Sequence, residues 1–119
     1  MGTWGSGNFD SDDALDYLSQ ITNPLVEKLL EVMESPELAE ADEESDKCMV
    51  AVEILTLLSQ YHCNERLTPQ VIADCRHTML TEWDASIDGL DPDPDYKVAR
   101  RQVIKESFDK LQAVVQRWS

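Results

Sequence analysis

The densest apolar stretch runs from Cys48 to Leu58, read CMVAVEILTLL, and only Glu53 and Thr56 interrupt it. By periodicity alone, a run this short suits a buried strand as well as a helix. Its surroundings select the helix. No Gly or Pro falls between Glu37 and Thr68, and helix-forming polar residues flank the run on both sides. A helix apolar on nearly every face is buried on nearly every face. The pattern therefore predicts a central helix with the others packed around it.

Helical spacing recurs in separate blocks. Leu15, Leu18 and Ile21 form one stripe, and Leu25, Val26, Leu29, Leu30 and Met33 a second. Ile72, Cys75, Met79, Trp83 and Ile87 form a third, and Ile104, Phe108, Leu111, Val115 and Trp118 a fourth. Four of the five prolines follow a good capping residue, at Asn23-Pro24, Ser35-Pro36, Thr68-Pro69 and Asp93-Pro94. Pro suits the first helical position, where its missing N–H costs nothing.

These signals predict a first helix capped by Asp10, with Asp13 completing a capping box. A second helix runs from Pro24 to about Glu34. The central helix takes in the acidic run Glu37 to Asp46, with Ser45 as a second candidate cap, and ends near His62 with Asn64 as terminator. A fourth helix, stapled by Leu67 and Ile72, runs from Pro69 to Gly89. The loop Asp88 to Asp95 leads into a last helix reaching about Trp118. The expected fold is all-α and a single domain over residues 1–119. It is a bundle of about five helices over 10–119, with the glycine-rich segment 1–9 docked on it through Trp4 and Phe9. No strand and no internal repeat is expected.

Charge narrows the partners. The net charge is −14, with −18 over residues 1–95 and +4 over residues 96–119. Such a surface repels nucleic acid and anionic membrane and attracts a basic protein, although acidity also serves solubility alone. Lys97, Arg100, Arg101 and Lys105 form one short basic face, expected to pair with acids of neighbouring helices. Three cysteines and no secretory leader predict a reducing cytoplasm. The central run is too short and too closely flanked by acids to cross a membrane.

Candidate chemistry is sparse. Asp91, Asp93 and Asp95 alternate as in a calcium loop, but Tyr96 and Gln102 stand where the turn glycine and the bidentate glutamate belong. His62, Cys63, Cys75 and His77 straddle one turn but lack zinc-ligand spacing. Asp10, Asp12, Asp13 and Asp16 are dense enough to attract a hard divalent cation, and capping with solvation explains them equally. Glu53 stands out because it lies inside the run expected to be buried. A buried carboxylate needs a partner or holds its proton. The glycine-rich segment and the Trp4 indole are its expected donors, and escape at a gap between helices is the alternative.

The opening Trp4-Gly5-Ser6-Gly7-Asn8-Phe9, with the Asp-rich start that follows, resembles the N-terminal signature of domain of unknown function 4259. That family comprises small, mostly bacterial proteins that open with Trp-Gly-x-Gly-x-Phe. Trp4, Gly5, Gly7, Phe9, Asp12, Ala14 and Asp16 fill its places, and Ala51-Val52-Glu53 resembles its Ala-rich central helix. The resemblance implies a bacterial, cytoplasmic, single-domain protein in which Trp4 to Asp16 and Glu53 form one unit. It carries over no activity and no catalytic residue.

The leading expectation is a non-enzymatic interaction module without a cofactor. It docks on a basic protein partner, as toxin-neutralising immunity proteins do. The alternative is a divalent-metal or small-ligand-binding protein, or an enzyme, built on Trp4, Phe9, Asp12, Asp13, Asp16 and Glu53. A subunit of a homo-oligomer is a third.

Overall fold

The computed structural model describes residues 2–118. Four α-helices fill most of them: α1 (Asp12–Glu34), α2 (Glu43–Leu58), α3 (Pro69–Ser86) and α4 (Pro94–Gln116). Single 3-10 turns at Pro36–Ala39 and Ile87–Leu90 link α1 to α2 and α3 to α4. Among the described residues the only extended pairing is an isolated bridge between Thr3 and Ser11.

Two of the four proline pairs start α-helices as expected. Thr68 Oγ1 accepts from the Val71 amide at 3.2 Å, and Asp93 Oδ1 accepts from the Asp95 amide at 2.8 Å. Ser35-Pro36 starts only a 3-10 turn. Asn23-Pro24 starts nothing, because α1 runs straight through it. Four helices therefore replace the expected five.

An interior Pro deletes one hydrogen bond and crowds the carbonyl four residues back, at a cost of about 3 kcal/mol. Tertiary contacts offset that cost. Leu18, Val26, Leu29 and Val32 lie buried on one unbroken face. The turn after α2 also braces the proline site. Asn64 Nδ2 donates to Thr22 Oγ1 at 3.0 Å and to Asn23 Oδ1 at 2.7 Å. Arg66 donates to the Asn23 carbonyl and pairs with Glu27.

Two further boundaries differ from expectation. Ser11 rather than Asp10 caps α1, its Oγ accepting from the Ala14 amide at 3.1 Å. Only the second part of the acidic run, from Glu43, belongs to α2. Asp42 interrupts it as a cap, accepting from the Glu44 amide while Ser45 Oγ accepts from the Asp42 amide. That reciprocal pairing fixes where α2 begins. At its other end α2 stops at Leu58, short of His62.

α1 packs on α2 and α3, and α4 packs on the same two helices. The diagonal pairs are thus α1 with α4 and α2 with α3. Val26, Leu29, Val52, Leu55, Ile72, Met79, Phe108 and Leu111 fill the centre. The α3 stripe is buried throughout, and so is the α4 stripe as far as Val115. Trp118 is half exposed, with its indole N–H donating to the Ser59 carbonyl at 2.8 Å.

The apolar run is buried on one side only. Cys48, Met49, Ala51, Val52 and Leu55 face inward, whereas Val50 and Leu57 are 58% and 57% exposed. α2 packs on α1, α4 and the Pro36–Ala39 turn, which leaves its outer side without a neighbour. Among the described residues no helix is long and apolar enough to cross a membrane.

Candidate functional site

The N-terminal segment is organised by Asp10. Its carboxylate accepts from the Gly7 amide at 2.9 Å, while the Trp4 amide donates to the Asp10 carbonyl at 3.0 Å. A Cβ added at Gly5 or Gly7 would meet that carboxylate at 2.5 or 2.7 Å. Among the described glycines none has a positive φ, so close approach alone explains these two. Phe9 docks the segment by stacking on Tyr61, with ring centroids 4.1 Å apart and planes at 18°. Trp4 does not dock, and is 58% exposed.

Asp12 meets this segment at Gly2, where its amide donates to the Gly2 carbonyl and its carboxylate packs against the glycine, but the other sequence candidates do not converge on it. Asp12, Asp13 and Asp16 are exposed on the first turns of α1. Glu53 is exposed too: in place of burial against the N-terminal segment it escapes at a gap between helices, beside Tyr96, Arg100 and Val103 of α4. The reason is the missing neighbour: its side of α2 faces a groove, not the core. The N-terminal recess is instead lined by Phe9, Ala14, Tyr17, Leu18 and Ile21. Among the described residues no group of three or more His, Cys, Asp or Glu side chains is placed to hold a metal ion.

The His and Cys residues near the α2–α3 turn also separate. Cys75 is buried and meets Cys48 across the bundle diagonal. The neighbouring Cys48 thiol, together with burial, pushes the Cys75 thiol well above its ordinary range. Burial pushes the Cys63 thiol up as well. Its sulfur lies 3.5 Å from the Asn64 and Leu67 carbonyls. His62 sits edge-on to Trp118, and His77 is exposed on α3. The sequence places Cys48 and Cys75 each on a buried apolar face, as found, but periodicity within one helix does not show that the two meet.

Three of the four residues of the basic face at the start of α4 are spent on intramolecular pairs, and Lys105 is not. Lys97 pairs with Asp88 at 2.6 Å, Arg100 with Asp46 at 3.4 Å and Arg101 with Asp84 at 2.9 Å. The Arg101 contact is bidentate and holds that guanidinium above its ordinary value. Lys28, Lys47, Arg66 and Arg76 also pair with acids. Seven of the ten basic residues are thus tied up. Those contacts engage eight of the 24 acids, which leaves sixteen with no ion-pair partner among the described residues.

Between α2 and α4 runs a groove of about 780 Å³, closed at one end by the Ile87–Leu90 turn. Val50, Trp83, Ile87, Leu90, Pro92 and Tyr96 give it an apolar lining, and Asp42, Glu43 and Asp46 stand along its α2 edge. A smaller recess of about 410 Å³ continues it past Glu53 to Val103 and Ser107. The two share Asp46, Val50, Tyr96 and Arg100, so they form one trough. Sequence reasoning missed the trough. The available signal was a second apolar line on α2, Val50, Ile54 and Leu57, spaced four and three like the buried stripes.

A family model described as a domain of unknown function, DUF4259, matches residues 2–119. Neither the comparison with curated proteins nor that with solved structures finds a match.

Proposed function

The chain belongs to the family of domain of unknown function 4259, and we propose that its role there is that of a non-enzymatic interaction module docking on a basic protein. The observation that carries this is the distribution of ion pairs. Seven of the ten cations are neutralised locally, including three of the four on the one basic stretch. The remaining acids face solvent unopposed. The outward field is therefore negative over most of the surface, and such a field speeds the approach of a positively charged partner and repels acidic ones. Small size, helicity and acidity are shared with immunity proteins that neutralise basic toxins, a likeness of type and not of ancestry. Residues 1–119 act as one domain in this role.

The metal- or ligand-binding alternative lacks comparable support. Its carboxylates are divided between the start of α1 and the groove beside α4.

Affinity capture from a lysate of the source organism at about 0.15 M salt tests the proposal. The Debye length there is roughly 8 Å, so loose charge pairing is screened. The expected result is one basic protein held in stoichiometric amount. The purified pair should then recombine with a Kd that rises with salt. An empty capture, or an affinity indifferent to salt, overturns the proposal.

A further inference from the structure

We propose that the α2–α4 trough is the docking site, and that it takes one amphipathic helix of the partner, about three turns long, apolar on one side and rich in Lys or Arg beside it. This rests on the basic-partner reading above and adds its place and shape. Four large apolar side chains open into the trough while half or more exposed, or close to it: Val50, Leu90, Tyr96 and Val103. Apolar clusters of this kind on a surface mark interaction sites.

Length selects the occupant. The trough follows α4 from Tyr96 to Ser107, and at about 1.5 Å per residue that is roughly 17 Å, or three helical turns. Its walls are helices whose backbone groups already bond within themselves. An extended segment would find no sheet edge to pair with, whereas a helix anchors by side chains alone. Charge selects the partner's chemistry. Four acids, Asp42, Glu43, Asp46 and Glu53, line the trough against two cations, Lys47 and Arg100, which pair with Glu43 and Asp46 and leave Asp42 and Glu53 without an ion-pair partner among the described residues. A second copy of this chain, itself at −14, would set like charges against each other, and a basic helix sets opposite ones.

The test uses the full chain and a synthetic 14-residue peptide, with Leu at positions 2, 6, 9 and 13 and Lys at most others. A scrambled peptide of equal composition serves as control, and fluorescence anisotropy at about 0.15 M salt as readout. Val50→Glu combined with Leu90→Glu adds negative charge inside the trough. Val98→Glu adds it on α4 at a highly exposed position outside the trough lining. The expected result is at least tenfold weaker binding by the trough variant, despite its greater charge, with Val98→Glu at least as tight as wild type.

Binding by the trough variant as tight as wild type overturns the proposed site but spares the basic-partner reading, and so does equal binding of the scrambled peptide. If neither peptide binds even at 20 mM salt, both proposals fall.

Discussion

The two faces of α2 are made of the same kinds of residue and meet opposite fates. Cys48, Met49, Ala51, Val52 and Leu55 are buried against the bundle. Val50, Ile54 and Leu57 look outward with no helix over them. Composition does not separate the faces; the number of neighbours does. With α1 on one side and α4 on the other, a four-helix arrangement covers about half of any member helix. Apolar residues beyond that half are surplus to folding, and the trough beside α4 is where part of the surplus is displayed.

Truncation is the most direct way to break this contrast. Leu55→Ala should lower the unfolding free energy by about 2–5 kcal/mol, read from urea transitions. Val50→Ala should stay within about 0.5 kcal/mol. Equal losses at the two positions would erase the distinction between the faces.

The ends of α2 give smaller effects. Asn64 is buried and serves Thr22, Asn23 and the Arg66 amide. Asn64→Ala should cost about 1–3 kcal/mol by leaving those groups unsatisfied, with reduced amide-exchange protection in the middle of α1. A melting curve unchanged by this substitution would show that the brace is idle. Asp42→Ala, which removes the cap common to both faces, should cost about 1 kcal/mol.

The smallest effect concerns the thiols of the inner face. Cys75 stays protonated in the fold, held up by the neighbouring Cys48 thiol and by burial, where an unfolded thiol ionises near 9.0. Its contribution is complete below that value and is lost as pH rises above it. Stability should fall by under about 1 kcal/mol between pH 7.5 and 9.5 through this group. The decline should flatten in Cys75→Ala, and an equally steep decline in that variant would exclude Cys75 as its source.

Much of the architecture was legible where two independent signals agreed. In α3 and α4, proline caps and apolar spacing coincide, and the structure follows both. At Pro24 they conflict: the pair signals a start, while the apolar line from Leu18 to Val32 continues across it. The longer pattern wins because Asn64 and Arg66, distant in sequence, hold the junction. The candidate site was less legible. Gly5 and Gly7 announced a close approach without naming the Asp10 carboxylate. Glu53 was misplaced because an apolar run does not reveal how many helices will lie beside it. The trough escaped notice because Val50, Tyr96 and Val103 are ordinary residues of a helix until their cover is found missing.

Pro24 also bears on the order in which the chain takes shape during synthesis. The stretches flanking it, 12–23 and 25–34 within α1, reach at most the lower end of the roughly 12–15 residues that even favourable isolated helices need. Asn64 follows Asn23 by 41 residues. At about 5–20 residues per second, the ribosome delivers it about two to eight seconds later. The first helix translated thus waits for a turn made halfway through the chain to brace its proline. A nascent chain stalled before Asn64 contains every residue of α1 and lacks the brace at its proline.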